Sequence, residues 1–218
     1  GLEDNATPNL GAASAATMPD TGTQFITFKS TVRYDAITRH GLGATYTRGP
    51  CLFVGEFVSQ RMGLVIPDST ADGVNGNLIE NRNTRFDSWY VTVGHFLTGE
   101  DAVINGQVSP KKPFKTGEGG GWGAWQVRGR VSGFQAEREP FYNLSRQFAS
   151  APQPTETGVG TSTNVDSWTL GMSWIPVANA KVMLDYGENR FGADYIGTLG
   201  ADTRKKEQFV ILSTQVNF

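Results

Sequence analysis

Apolar and polar residues alternate with a period of two along most of this 218-residue chain. Successive side chains of a β-strand point to opposite faces, so this period is typical of strands. The 27 glycines are spread through the chain, and no window carries the i, i+3, i+4, i+7 apolar spacing of an amphipathic helix. We therefore expect an all-β chain with strand runs at residues 40–47, 51–62, 86–97, 123–135, 167–175, 181–191 and 207–218, and a weaker candidate at 23–34.

Composition excludes several other classes. A mean hydropathy of −0.32, without any apolar stretch of the roughly 20 residues that a spanning helix needs, excludes a helical membrane protein but not membrane-spanning strands. A net charge of −2, with no run of five like charges, gives no surface for nucleic acid, so that partner is not expected. Cys51 is the single cysteine, which excludes an internal disulfide, and neither a metal site nor a cofactor is expected.

Within each run, one parity collects apolar side chains and the other collects polar ones. A soluble β-sandwich shows the same alternation, so the pattern alone leaves two architectures open. Aromatic residues on the apolar parity lie near strand ends, where bilayer barrels carry interfacial girdles. The lipid-facing aromatic residues predicted in this way are Trp89, Trp125, Trp168, Trp174, Tyr186 and Phe218.

The lengths of the connections favour a barrel. Residues 48–50 and 176–180 form short connections, whereas 63–85, 136–166 and 192–206 are long. Bacterial barrels have short periplasmic turns and long outer loops, and the alternation here fits that rule. Residues 98–122 are the exception, a long connection on the short side. We expect this segment to fold over or into the pore.

Six short motifs, taken in order, resemble the family of phosphate-selective porins O and P. They are WYV at 89–91, FLTGE at 96–100, PKKPF at 110–114, GGWGAW at 120–125, SWTLG at 167–171 and QVNF at 215–218. The resemblance covers about residues 38–218 and implies a trimeric, water-filled, antiparallel transmembrane β-barrel of roughly 16 strands in the outer membrane of a Gram-negative bacterium. Seven or eight strands then correspond to its carboxyl-terminal half.

The start of the chain has a different character. Residues 1–37 are expected to be a polar loop or weak strand region, followed by barrel strands with long outer loops over 38–218. The first 23 residues are small and polar, without an initiator methionine or a signal segment, which predicts a processed or partial chain.

Charged residues on the polar parity are the candidate functional residues. Arg128 and Arg130 project the same way and are expected to line the pore. They either attract anions or pair with wall carboxylates such as Glu56 or Asp185. The complete set predicted to line the pore or bind anions is Arg128, Arg130, Lys111, Lys112, Lys115, Lys181, Glu56 and Asp185. Basic clusters select anions in the resembling family, and the resemblance implies this role for the matched positions Arg128, Lys111 and Lys112.

The sequence thus predicts an outer-membrane porin for passive diffusion of small hydrophilic solutes, with an anion or phosphate preference as a further expectation. Its expected partners are the lipid bilayer, small solutes or anions, and two further copies of itself. No catalytic constellation emerges, because His40 and His95 lie in separate runs without a nucleophile or acid at motif spacing. The alternative is a non-conducting scaffold barrel, or a soluble β-sandwich, in a cell-envelope assembly.

Overall fold

Seven long antiparallel strands form one sheet in the computed structural model, and they follow one another across the sheet in chain order. The structure describes residues 16–17, 24–26, 33–67, 78–104, 106–117, 119–137, 164–192 and 205–217. The strands of the sheet are β3 Arg33–Arg48, β4 Cys51–Pro67, β5 Leu78–Phe96, β6 Ala124–Ala136, β7 Asn164–Val177, β8 Ala180–Phe191 and β9 Lys206–Val216. Two short strands, β1 Ala16–Thr17 and β2 Gln24–Ile26, pair separately.

The prediction of an all-β antiparallel sheet is confirmed. No helix among the described residues is long and apolar enough to cross a membrane. Strands β3 and β9 form the two edges of the sheet and do not pair with each other. Each of the seven predicted runs corresponds to one strand, although β3, β4, β5 and β7 extend several residues beyond the predicted bounds.

Three connections lie at one end of the sheet, which is called the short-turn end here, and the opposite end is called the long-loop end. Gly49 and Pro50 join β3 to β4, and residues 178–179 join β7 to β8. Gly49 has φ +52°, which suits the first central position of a tight hairpin turn, and proline supplies the negative φ of the next position. The third connection, residues 97–123, leads from β5 to β6 at the same end. Short turns mark the periplasmic end of bacterial barrels.

One face of the sheet, called the apolar face here, is lined by hydrophobic side chains that the described chain leaves uncovered. A single hydrogen-bonded row crosses all seven strands through Tyr46, Phe53, Val93, Gly129, Leu170, Tyr186 and Val210. Leu42 is 76% exposed and Val210 is 68% exposed. A soluble sandwich would bury this face against a second sheet, whereas a porin presents such a face to lipid.

The exposed hydrophobic side chains of the apolar face form a band, and this band runs obliquely to the rows of paired residues. On β3 it covers Leu42 to Tyr46, whose partners lead across the sheet to Lys206 and Val210 on β9. On β9 the band instead covers Val210 to Val216, which is displaced toward the short-turn end. Strands of a barrel are tilted and staggered in this way, so a horizontal lipid layer crosses their pairing rows at an angle.

The opposite side, called the polar face here, carries the one compact apolar cluster of the described residues. Phe96, Ala124 and Ile175 point to this face near the short-turn end, and Ala102 of the 97–123 connection packs onto them. The first part of this connection, residues 101–108, is called the inner arm. Ala102 N donates to Gly49 O at 2.7 Å, which fixes the arm to the β3–β4 turn. The connection therefore folds over the polar face.

Candidate pore-lining site

Charged side chains of three strands lie on the polar face. Arg128 and Arg130 are two residues apart on β6, about 7 Å along the strand. In the pairing register, Arg128 lies level with Gly171 on β7 and Asp185 on β8. Lys181 is on the same face of β8, nearer the short turn, and Glu56 is on the same face of β4. The sequence parity therefore places five of the eight predicted pore-lining residues on one face.

Arg128 forms a two-pronged ion pair with Asp185. Its Nε donates to Oδ1 of Asp185 at 3.1 Å, and its Nη2 donates to Oδ2. The planar guanidinium matches a carboxylate in this geometry, which fixes both side chains. The aspartate side chain is only 14% exposed, so the pair is part of the wall. Arg128 thus has the wall-pairing arrangement that the sequence left as one of two alternatives.

Gly171 makes this pair possible because it lies between the two partners in the pairing row. A Cβ atom built there would lie 2.7 Å from Nε of Arg128 and would overlap Oδ1 of Asp185. Any side chain on β7 at this level would push the guanidinium and the carboxylate apart. A strand glycine of this kind marks the close approach of other groups.

Gly171→Ala is expected to destabilise the folded protein by about 1–3 kcal/mol, because the added methyl overpacks the ion pair and opens it. The matched control is Gly129→Ala, where the nearest atom to an added Cβ is Leu170 Cδ2 at an ordinary 3.6 Å. The urea concentration at the midpoint of unfolding, in detergent micelles, measures the stability of both variants. Equal midpoints for the two variants would contradict the spacer role of Gly171.

Arg130 is held differently. Its guanidinium carbon lies 4.4 Å from the centre of the Tyr90 ring, an arrangement that restrains the cation without neutralising it. Within the described part of the chain, neither Arg130 nor Glu56 forms an ion pair, and Arg130 is exposed. On this face, β6 therefore carries one neutralised and one uncompensated arginine, two residues apart.

A cavity of about 280 Å³ lies between the polar face and the inner arm. Its lining is half apolar and half polar, and the polar part includes Arg128, Lys181, Gln107, Gln126, Gln215 and Asn179. Amide and cationic donors of this kind can solvate an anion or hold water. Lys181 is thus placed beside Arg128, whereas Lys111, Lys112 and Lys115 do not contribute to the lining.

Those three lysines lie on the second part of the connection. The main-chain N of Lys111 donates to Oε1 of the buried Glu100 at 3.1 Å, and its Nζ donates to the carbonyl of Gly99. The side chains of Lys112 and Lys115 are exposed, and neither forms an ion pair within the described residues. Their contact with a permeating solute stays a prediction.

The aromatic residues of the apolar face form two groups. Trp89, Trp168 and Tyr186 lie toward the long-loop end, and the Trp168 and Tyr186 rings meet edge-on at 5.5 Å. Trp125 and Trp174 stack at 5.9 Å toward the short-turn end. Trp168 and Trp174 are six residues apart on β7, about 20 Å, which is comparable with the roughly 25 Å apolar band of outer-membrane barrels. Phe218 lies outside the described residues.

Sequence reasoning missed a charged cluster that lies beyond Trp168 and Tyr186, toward the long-loop end. Glu188 has the same parity as Tyr186 but lies nearer the long-loop end, with a side chain that is only 4% exposed. Its carboxylate accepts from Nε of Arg190 at 2.6 Å, Nζ of Lys206 at 3.0 Å and Nε2 of Gln208 at 2.9 Å. The change from apolar to charged residues along β8 and β9 could have indicated where the apolar band ends.

The described residues contain no group of three or more His, Cys, Asp or Glu side chains placed to hold a metal ion. Cys51 and His95 are in contact, with Sγ 3.3 Å from Nδ1. The pair lies on the apolar face, where the two residues are partners in the β4–β5 register.

Comparison with known protein families agrees with this geometry. The family described as phosphate-selective porin O and P matches residues 6–218. Comparison with curated proteins gives no match. The family match extends over nearly the whole chain and agrees with the antiparallel sheet, its uncovered apolar face and its short turns at one end. The chain therefore belongs to the phosphate-selective porin O and P family of bacterial outer-membrane porins.

Proposed function

We propose that this chain forms part of the wall of a passive pore for small hydrophilic solutes, and that the pore favours anions. Its expected assembly is a homotrimer. The observation that carries the anion preference is the uncompensated Arg130 on the polar face, beside an Arg128 that Asp185 neutralises. The apolar face is proposed to meet lipid, and the polar face to meet the aqueous pore.

Arg130 suits this role for physical reasons. A guanidinium stays charged at every physiological pH, is weakly hydrated, and presents several donors that can replace part of the water shell of an anion. Tyr90 restrains the side chain and leaves its charge intact. The Arg128–Asp185 pair adds no net charge, so in this proposal it stiffens the wall beside the selecting residue.

The test is the reversal potential across planar bilayers under a salt gradient. Arg130→Gln deletes the uncompensated charge and is expected to shift the selectivity toward cations. The control is Arg128→Gln combined with Asp185→Asn, which removes a cation and an anion together and is expected to leave the selectivity unchanged. The shift should shrink as salt approaches about 1 M, where the Debye length is about 3 Å.

Two results would contradict the proposal. Equal reversal potentials for the wild type and Arg130→Gln at low salt would show that Arg130 does not set the selectivity. Absence of conductance from a correctly folded wild-type protein would instead favour the non-conducting scaffold.

A further inference from the structure

The second part of the 97–123 connection leaves the polar face and lies against the apolar face. Phe114 N donates to Pro176 O at 2.8 Å, and the Phe114 ring meets the Trp174 ring edge-on at 5.4 Å. Trp174 Nε1 donates to the carbonyl of Trp122 at 2.7 Å. The connection therefore passes over the rim of the sheet. We call this part, residues 111–117 and 119–122, the outer arm.

The outer arm adds aromatic residues to the group formed by Trp125 and Trp174. Phe114 and Trp122 join the stacked pair Trp125 and Trp174, and we call these four residues the aromatic ledge. The Trp122 side chain is 78% exposed and Phe114 is 41% exposed. Aromatic rings at this level of a membrane protein lie among lipid headgroups, where their apolar body and polar edge are both accommodated.

Lysines flank the ledge on the same arm. Lys112 and Lys115 are separated from Phe114 by one residue or none, are exposed, and form no ion pair within the described residues. Lys111 follows directly on the buried Pro110 and is tied to Gly99. Lysine side chains beside an aromatic belt extend toward the headgroup layer and attract anionic lipid, by about 1 kcal/mol each.

We propose that the aromatic ledge and Lys111, Lys112 and Lys115 form a binding surface for anionic phospholipid headgroups of the periplasmic leaflet. This rim is at the short-turn end of the sheet, and short turns mark the periplasmic side of bacterial barrels. The tryptophan rings anchor the arm at the level of the headgroups, and the ammonium groups bind the lipid phosphates. This inference depends on the outer-membrane location and not on the proposed anion preference. It gives the three lysines a role outside the pore.

Fluorescence quenching of the refolded full chain in mixed vesicles tests this surface. Brominated phosphatidylglycerol and brominated phosphatidylcholine are compared at the same mole fraction, since each quenches the tryptophans that it touches. Trp122→Phe identifies the share of the signal that belongs to Trp122. We expect stronger quenching of Trp122 by the anionic lipid, with an enrichment of about fivefold for each lysine.

The variant Lys111→Gln/Lys112→Gln/Lys115→Gln is expected to abolish the difference between the two lipids. Lys205→Gln, an exposed lysine at the opposite end of the sheet, is the control and should keep the difference. Raised salt should weaken the preference of the wild type.

Three results would overturn the proposal. Equal quenching of wild-type Trp122 by both lipids would show that no headgroup is selected. Quenching by neither lipid, together with loss of the oligomer in Trp122→Ala, would assign the ledge to a contact between copies of the chain. A changed reversal potential in the triple variant would place the lysines in the pore.

Discussion

Leu184→Arg is expected to destabilise the folded protein by about 2–4 kcal/mol, the cost of a cation near the midplane of a bilayer. Leu184 is 45% exposed at the centre of the apolar face. Its pairing row continues through Met172 and Val127 on one side and Leu212 on the other. An arginine there could reach water only by extending past these neighbours toward the rim.

Reversible folding into phospholipid vesicles, followed by urea titration, gives the free energy of unfolding for this test. The matched control is Ser132→Arg, which lies on the polar face of β6 level with Tyr90 and Ser167. An arginine at Ser132 can extend into water, so only a small change is expected. Equal costs at the two positions would mean either that no bilayer covers the apolar face or that the two faces are exchanged.

The sequence predicted which side chains share a face because that information is local. The period-two parity places Val127 and Leu184 on one face and Arg128 and Asp185 on the other, and the strand register agrees in each case. The resemblance to the porin family was also confirmed. Strand ends were predicted less well. β4 continues to Pro67 and β5 begins at Leu78, because the two strands go on pairing after the apolar alternation has ended.

Contacts between distant residues could not be predicted in the same way. Arg128 and Asp185 are 57 positions apart, and their pairing depends on the missing side chain of Gly171 between them. No local pattern distinguishes this glycine from the others. The outer arm presents the same difficulty. The sequence predicted that residues 98–122 fold over or into the pore, and the inner arm lies on the polar face. The contact between Phe114 and Trp174 takes the following residues to the opposite face.

The inner arm has a consequence for conductance. It is held on the polar face by the cluster of Phe96, Ala102, Ala124 and Ile175, against which Leu52 and Val108 also pack. The arm covers one end of the polar face and borders the 280 Å³ cavity. We therefore expect it to narrow the water-filled space of the proposed pore.

Phe96→Ala is therefore expected to have two effects. Phe96 is 2% exposed, and truncating a buried phenylalanine typically costs about 3–5 kcal/mol through lost burial and the cavity that remains. The inner arm would then be held mainly by backbone hydrogen bonds such as that from Ala102 N to Gly49 O, so it should detach more often. We expect a lower urea midpoint, and a larger and noisier single-channel conductance.

Leu97→Ala is the control, because Leu97 is 60% exposed and lies outside the cluster. It should leave both quantities nearly unchanged. A Phe96→Ala variant that is destabilised but conducts as the wild type does would show that the inner arm does not narrow the pore.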